Sequence, residues 1–101
     1  MTSETIISTR EPARHVLKTW PAPFHALCAG VKTFEFRKDD RGFEVGDMLV
    51  LDEWVPLSDH PDGGYETGHA TIRWVTYILR GPAFGLPEGY CVMSVSERRP
   101  T

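Results

Sequence analysis

Only two cysteines, Cys28 and Cys91, occur in the sequence; they lie far apart, each within an apolar stretch. They predict two reduced core thiols rather than a disulfide framework, which suits a cytoplasmic protein. Long hydrophobic runs are missing as well. None approaches the ~20 residues of a membrane-spanning helix, and the opening Met-Thr-Ser-Glu-Thr lacks the basic-then-apolar layout of a signal peptide. No membrane partner is expected. An excess of positive charge is also absent, for the formal net charge is -3 with a pI near 5.7. That excludes a protein that coats nucleic acid through bulk electrostatics, because non-specific affinity comes mainly from neutralised phosphates.

The charge is unevenly spread. Through residue 41 there are seven basic side chains against five acidic ones, and after it four against nine. A basic patch therefore survives inside an acidic protein, which favours a small anionic or nucleotide-sized ligand over a long duplex. Metal chemistry has little support. His15, His25, His60 and His69 show no spacing that places two ligands together, so neither a metal nor another cofactor is expected.

At 101 residues, with 41% hydrophobic content, the chain suffices for one compact core. Residues 1–14 are polar and aperiodic and read as a flexible tail, residues 15–96 as the folded domain, and residues 97–101 as a second tail. Residues 15–19 read as a short strand. Pro21 and Pro23 suit the first turn of a helix over residues 21–29, which Gly30 stops. A strand follows over residues 33–38, then polar turns at residues 39–42 and 45–47. The apolar run at residues 48–51 is hydrophobic at both parities and predicts a strand covered on both sides. Residues 56–66 are loop, residues 68–79 one bent strand or two strands around a bulge, and residues 90–95 the last strand. Asp39, Asp40 and Asp47 read as turn formers that bind backbone amides. The predicted class is α+β, mainly β: a small barrel with one short helix after the first strand.

The most informative stretch is Gly30-Val31-Lys32-Thr33-Phe34-Glu35-Phe36-Arg37. Strand side chains alternate between faces. Phe34 and Phe36 are therefore expected in the core, with Glu35 and Arg37 together on the opposite face, joined by Thr33. These charges form either an exposed ion pair, of little energetic value, or the rigid wall of a polar pocket.

Gly30, Lys32, Glu35 and Arg37 fill the four fixed positions of a signature that resembles the ASCH domain, a branch of the PUA-like superfamily of RNA-associated β-barrels. The runs His15-Val16-Leu17-Lys18-Thr19-Trp20-Pro21, Val45-Gly46-Asp47, Thr76-Tyr77-Ile78-Leu79 and Gly85-Leu86-Pro87-Glu88-Gly89-Tyr90 resemble a compact ASCH-like family of bacterial and phage proteins of unknown function. The resemblance implies a PUA-like barrel whose cleft binds RNA or a nucleotide. One branch of similar fold hydrolyses N4-acetylcytidine with a lysine, a threonine and a glutamate. Its lysine corresponds to Lys32, but Glu35 stands at its threonine position, and its glutamate has no clear counterpart here.

The ligand site is thus expected to involve Lys18, Trp20, Lys32, Glu35, Arg37, Lys38 and Tyr90. The lysines would meet phosphates, and Glu35 with Arg37 would read a base edge. Each residue also has a plainer role. Lys32 suits the negative end of the helix, Trp20 reads first as a core or helix-anchoring ring, and Lys38 and Arg41 as turn solvation. Tyr90 reads as a core-edge ring. Catalysis stays open, with Lys32 as oxyanion partner and Glu35 as proton carrier of a small hydrolase on a modified nucleoside or on RNA. A structural or interaction module is the third reading. The expected assembly is a monomer or weak homodimer.

Overall fold

The computed structural model of the protein describes residues 10–100, so most of the expected N-terminal tail lies outside the described residues. Six elements follow in order: β1 (Arg14–Thr19), α1 (Pro21–Cys28), β2 (Phe34–Lys38), β3 (Met48–Pro56), β4 (Gly64–Arg80) and β5 (Tyr90–Ser96). The strands form one five-stranded mixed sheet in the order β1-β3-β4-β5-β2. β1 runs parallel to β3, and the other neighbours are antiparallel.

The expected barrel does not form. The sheet ends at β1 on one side and β2 on the other, and among the described residues no backbone ladder joins them. Instead, carbonyls that β1 presents along its open edge accept from arginines of the β2 region. The Lys18 oxygen accepts from Arg37 Nη1 at 3.0 Å and the Val16 oxygen from Arg41 Nη1 at 3.2 Å. Closure of a sheet needs a continuous register; here side chains satisfy the edge, which also blunts it against pairing with other chains.

Of the two forms expected for residues 68–79, the single strand is present, and it begins earlier, inside the expected loop at residues 56–66. β4 runs unbroken for 17 residues, with a register shift between Val75 and Tyr77 against β5. β3 continues past its apolar run to Pro56, and its register with β4 shifts between Asp52 and Trp54, whose partners Ala70 and Glu66 show that the extra residues lie in β4.

The inner face of the sheet holds the core. Leu17, Leu49, Leu51, Val75, Cys91, Met93 and Val95 pack there with Leu27 of α1 and with Phe43, each large side chain contributing roughly 1.5–3 kcal/mol by leaving water. Helix α1 begins at Pro21 with Trp20 as N-cap, and it turns Phe24 and Leu27 inward. Cys28, the next residue after Leu27, is rotated about 100° around the helix and is exposed, whereas Cys91 is buried. The expectation of two core thiols therefore holds for Cys91 alone.

Arg73 of β4 is buried on the inner face. It donates to Thr71 Oγ1, the Ile72 oxygen and the Leu27 oxygen at 2.7–2.8 Å. A cation at the C-terminal end of α1 is favoured by the helix dipole, and Arg73, not Lys32, is the one that contacts it.

Asp47 fastens the chain ahead of β1. Its carboxylate is fully buried and accepts from both Arg10 Nη atoms, the Ala13 and Glu44 amides, and the His15 ring at 2.8–3.0 Å. Burial alone would raise its pKa, but these donors outweigh it and hold the group at about 2. Its expected role of binding backbone amides is met, with a cation added. Asp39 also does more than shape a turn, since it accepts from Arg80 Nη1 at 2.6 Å.

Candidate functional site

The faces of β2 are reversed from the sequence expectation. Glu35 is 2% exposed, while Phe34 and Phe36 are 46% and 51% exposed. Alternation itself holds; what inverts is which parity points inward. The inner parity of β2 reaches the seam between the two sheet edges, where charged groups find partners. The outer parity continues the open sheet face, on which Phe36 stacks with Tyr90 at 5.5 Å between centroids.

At the seam, Glu35 is gripped from both sides. Its Oε1 accepts from Arg37 Nε at 2.8 Å, and its Oε2 accepts from Lys32 Nζ at 2.5 Å. Arg37 spends its remaining reach on β1, donating from Nη2 to Thr19 Oγ1 and from Nη1 to the Lys18 oxygen, both at 3.0 Å. A buried carboxylate is costly unless paired and hydrogen-bonded, and this one is paired twice.

The turn after α1 puts Lys32 in place. Gly30 adopts a positive φ of 78°, which glycine takes without strain. The amides of Val31 and Lys32 then return to the Ala26 oxygen at 3.1 Å. From there Lys32 reaches back to Glu35 and also donates to the Phe34 oxygen.

These residues border a hollow of about 270 Å³ lined by Lys18, Thr19, Trp20, Pro23, Lys32, Glu35, Phe36 and Arg37. Five of the seven expected ligand residues line it: Lys18, Trp20, Lys32, Glu35 and Arg37. Trp20 is 61% exposed at the rim, so the core-ring role is excluded for it. Lys18 has its Nζ 3.9 Å from the centroid of the Trp54 ring. Lys38 and Tyr90 do not line the hollow; they are cross-strand partners in the β2–β5 ladder, on the parity that carries Phe36. Thr33 lies outside β2 and is exposed.

Thr19, Pro23 and Phe36 escaped the sequence reading as lining residues. No local signal marks Thr19, because its role depends on Arg37 arriving from the far side of the sheet. A second polar cluster escaped as well. Glu53 is buried next to Thr19 in the β1–β3 register. It accepts from Thr67 Oγ1 at 2.8 Å, and the rings of His25 and His69 lie 3.0 and 3.3 Å from its two oxygens. The Thr67 hydroxyl, with lesser help from the histidines, lowers the Glu53 pKa below its ordinary value. His25 and His69 are thus brought together by tertiary structure despite unhelpful spacing. Among the described residues, no group of three or more His, Cys, Asp or Glu side chains is arranged to hold a metal ion, and no helix is long and apolar enough to cross a membrane.

Comparison with known proteins gives a family without an assigned activity. Over 41 residues the chain is 46% identical to an uncharacterized 12.9 kDa protein in the GpA 3' region of Escherichia phage P2, an overlap of 41% of this chain and 38% of that relative. The match thus spans well under half of the relative's length. Residues 14–95, from the start of β1 almost to the end of β5, match the family described as domain of unknown function DUF3850. The chain belongs to the DUF3850 family.

Proposed function

We propose that the protein is a binding module of PUA-like, ASCH type whose seam hollow takes a nucleotide or a single-stranded RNA segment. One observation carries this reading: a buried glutamate neutralised by two cations, Lys32 and Arg37, in a hollow that also holds Lys18. Lys18 has no ion-pair or hydrogen-bond partner for its side chain among the described residues beyond its contact with the Trp54 ring. The hollow's charged lining therefore carries an excess of positive charge, which suits phosphate.

On this reading, Lys18 and the uncommitted donor capacity of Lys32 meet phosphate oxygens. The open face of Trp20 supports a base by stacking, which is sequence-tolerant and worth about 1–3 kcal/mol per base. Glu35 and Arg37 form a fixed wall that limits the orientation of a base edge, because their mutual bonds hold both head groups in place. Binding is favoured over hydrolysis because both Glu35 oxygens already accept from cations, which suits a rigid acceptor better than a proton carrier.

The test is titration of nucleosides, nucleotides and short ribo-oligomers followed by NMR of the backbone amides. Ligand-dependent shifts in residues 30–38 are expected, with Lys32→Ala weakening all ligands alike and Glu35→Gln altering base preference. A full panel that leaves those amides unmoved rejects the reading.

A further inference from the structure

A second hollow, of about 220 Å³, lies at the opposite end of β1; its lining includes Arg14, Met48, Trp74 and Arg99, with one carboxylate, Glu11, against the two arginines. Arg14, Met48 and Trp74 form one cross-strand row, since Arg14 pairs with Met48 and Met48 with Trp74. Arg14 and Arg99 are exposed, and neither side chain has a hydrogen-bond or ion-pair partner among the described residues. Two unanswered guanidinium groups beside an indole offer what the seam hollow offers: a seat for phosphate next to a ring on which a base can stack.

The two hollows are joined along one strand face. Arg14, Val16 and Lys18 alternate on the outer side of β1, with His15, Leu17 and Thr19 turned inward. Arg14 lines the second hollow and Lys18 the seam hollow. They are four positions apart, which sets their backbone positions about 13 Å apart at ~3.3 Å per residue. Val16 between them is 44% exposed, as is Ile72 at 43% two strands away. The strip therefore has a cation and a tryptophan at each end (Arg14 and Trp74 lining one hollow, Lys18 over Trp54) and apolar surface in the middle.

Resting on the proposed binding role of the seam hollow, we infer that the ligand is a single-stranded oligonucleotide, not a mononucleotide. It occupies both hollows and lies along the outer face of β1. One phosphate group occupies one hollow, whereas a strand of about four nucleotides, the lower end of known single-strand site sizes, can reach from one to the other. The exposed apolar and aromatic surface of the strip matches unpaired bases, and the cations at its ends match the backbone. A duplex hides its base faces and loses half of this complementarity.

The experiment is a length series of oligouridylates of one, two, four and eight nucleotides. Each is titrated against the native chain and against an Arg14→Ser/Arg99→Ser double variant, over a range of salt concentrations. Affinity should rise steeply between two and four nucleotides. The double variant should bind the octamer at least tenfold more weakly, while the mononucleotide shifts at the amides of residues 30–38, which report the seam hollow, stay unchanged. Its log-log salt slope should be lower by about 1.4, or about 0.7 for each single-strand phosphate that is no longer neutralised. A mononucleotide that binds as well as the octamer, or an octamer indifferent to the double substitution, overturns the inference while leaving the seam reading intact. A duplex octamer that binds as tightly as the single strand also overturns it. Absence of binding at every length rejects the seam reading, and this inference with it.

Discussion

Arg37 donates from Nη1 to the carbonyl oxygen of Lys18 at 3.0 Å, so the two outermost strands of the sheet are joined by a side chain where no ladder joins them. The same guanidinium holds Thr19 and Glu35. Removing it should therefore open the seam and leave a buried carboxylate with one partner in place of two. Arg37→Ala is expected to cost about 3 kcal/mol, in the range for breaking a buried pair, and Arg37→Lys less, since lysine keeps the charge but not the fork. Urea denaturation measures both. Equal, negligible losses would mean that the edges are held together by something else.

The reversal of β2 has its own test. Phe36→Ala removes a half-exposed ring and its stacking on Tyr90, a loss of about 1 kcal/mol. Leu51→Ala empties a fully buried site and should cost about 2–5 kcal/mol. Calorimetric stabilities should separate the two clearly, and a Phe36 loss as large as that of Leu51 would return the ring to the core.

Acid should unfasten the chain at Asp47. Its folded pKa of about 2 lies below the ordinary 3.8, so its contribution is complete above the unfolded value and is lost as pH falls through the folded one. The shift corresponds to roughly 2 kcal/mol. Stability measured from pH 5 to pH 2 should therefore fall more steeply for the native chain than for Asp47→Asn. Parallel curves would show that the carboxylate is not protected in the folded protein.

Gly30 links backbone geometry to the hollow. A side chain at φ 78° is strained even though a Cβ there meets no atom within 4 Å. Gly30→Ala should thus destabilise by about 1 kcal/mol through backbone strain alone. Because the following turn delivers Lys32 to Glu35, the chemical shifts of the Lys32 side chain should move with it. A stability loss without any change at Lys32 would separate the turn from the site.

Much of this architecture is legible in the order of residues. Pro21, Pro23 and Gly30 bracket the helix to within a residue, because their backbone restrictions are local. An irregular strand over residues 68–79 is readable from its alternation, but the place of the register shift is not. The grouping of Lys18, Trp20, Lys32, Glu35 and Arg37 also follows from the Gly30 to Arg37 signature and its surroundings. The direction of Phe34 and Phe36 is not readable, since alternation specifies two faces but not which one meets the core. Glu53 with His25 and His69 leaves no trace in spacing either, because its members come from β3, α1 and β4.

The linear chain alone therefore determined the elements, the turns and the parity of each strand, all of which follow from interactions within a few positions. Only the three-dimensional arrangement decided that the sheet stays open, that Arg37 bridges its edges, and that Glu35 turns inward while two phenylalanines face out. Those outcomes depend on where distant strands lie, and a buried charge is tolerated only where its partners converge from separate parts of the chain.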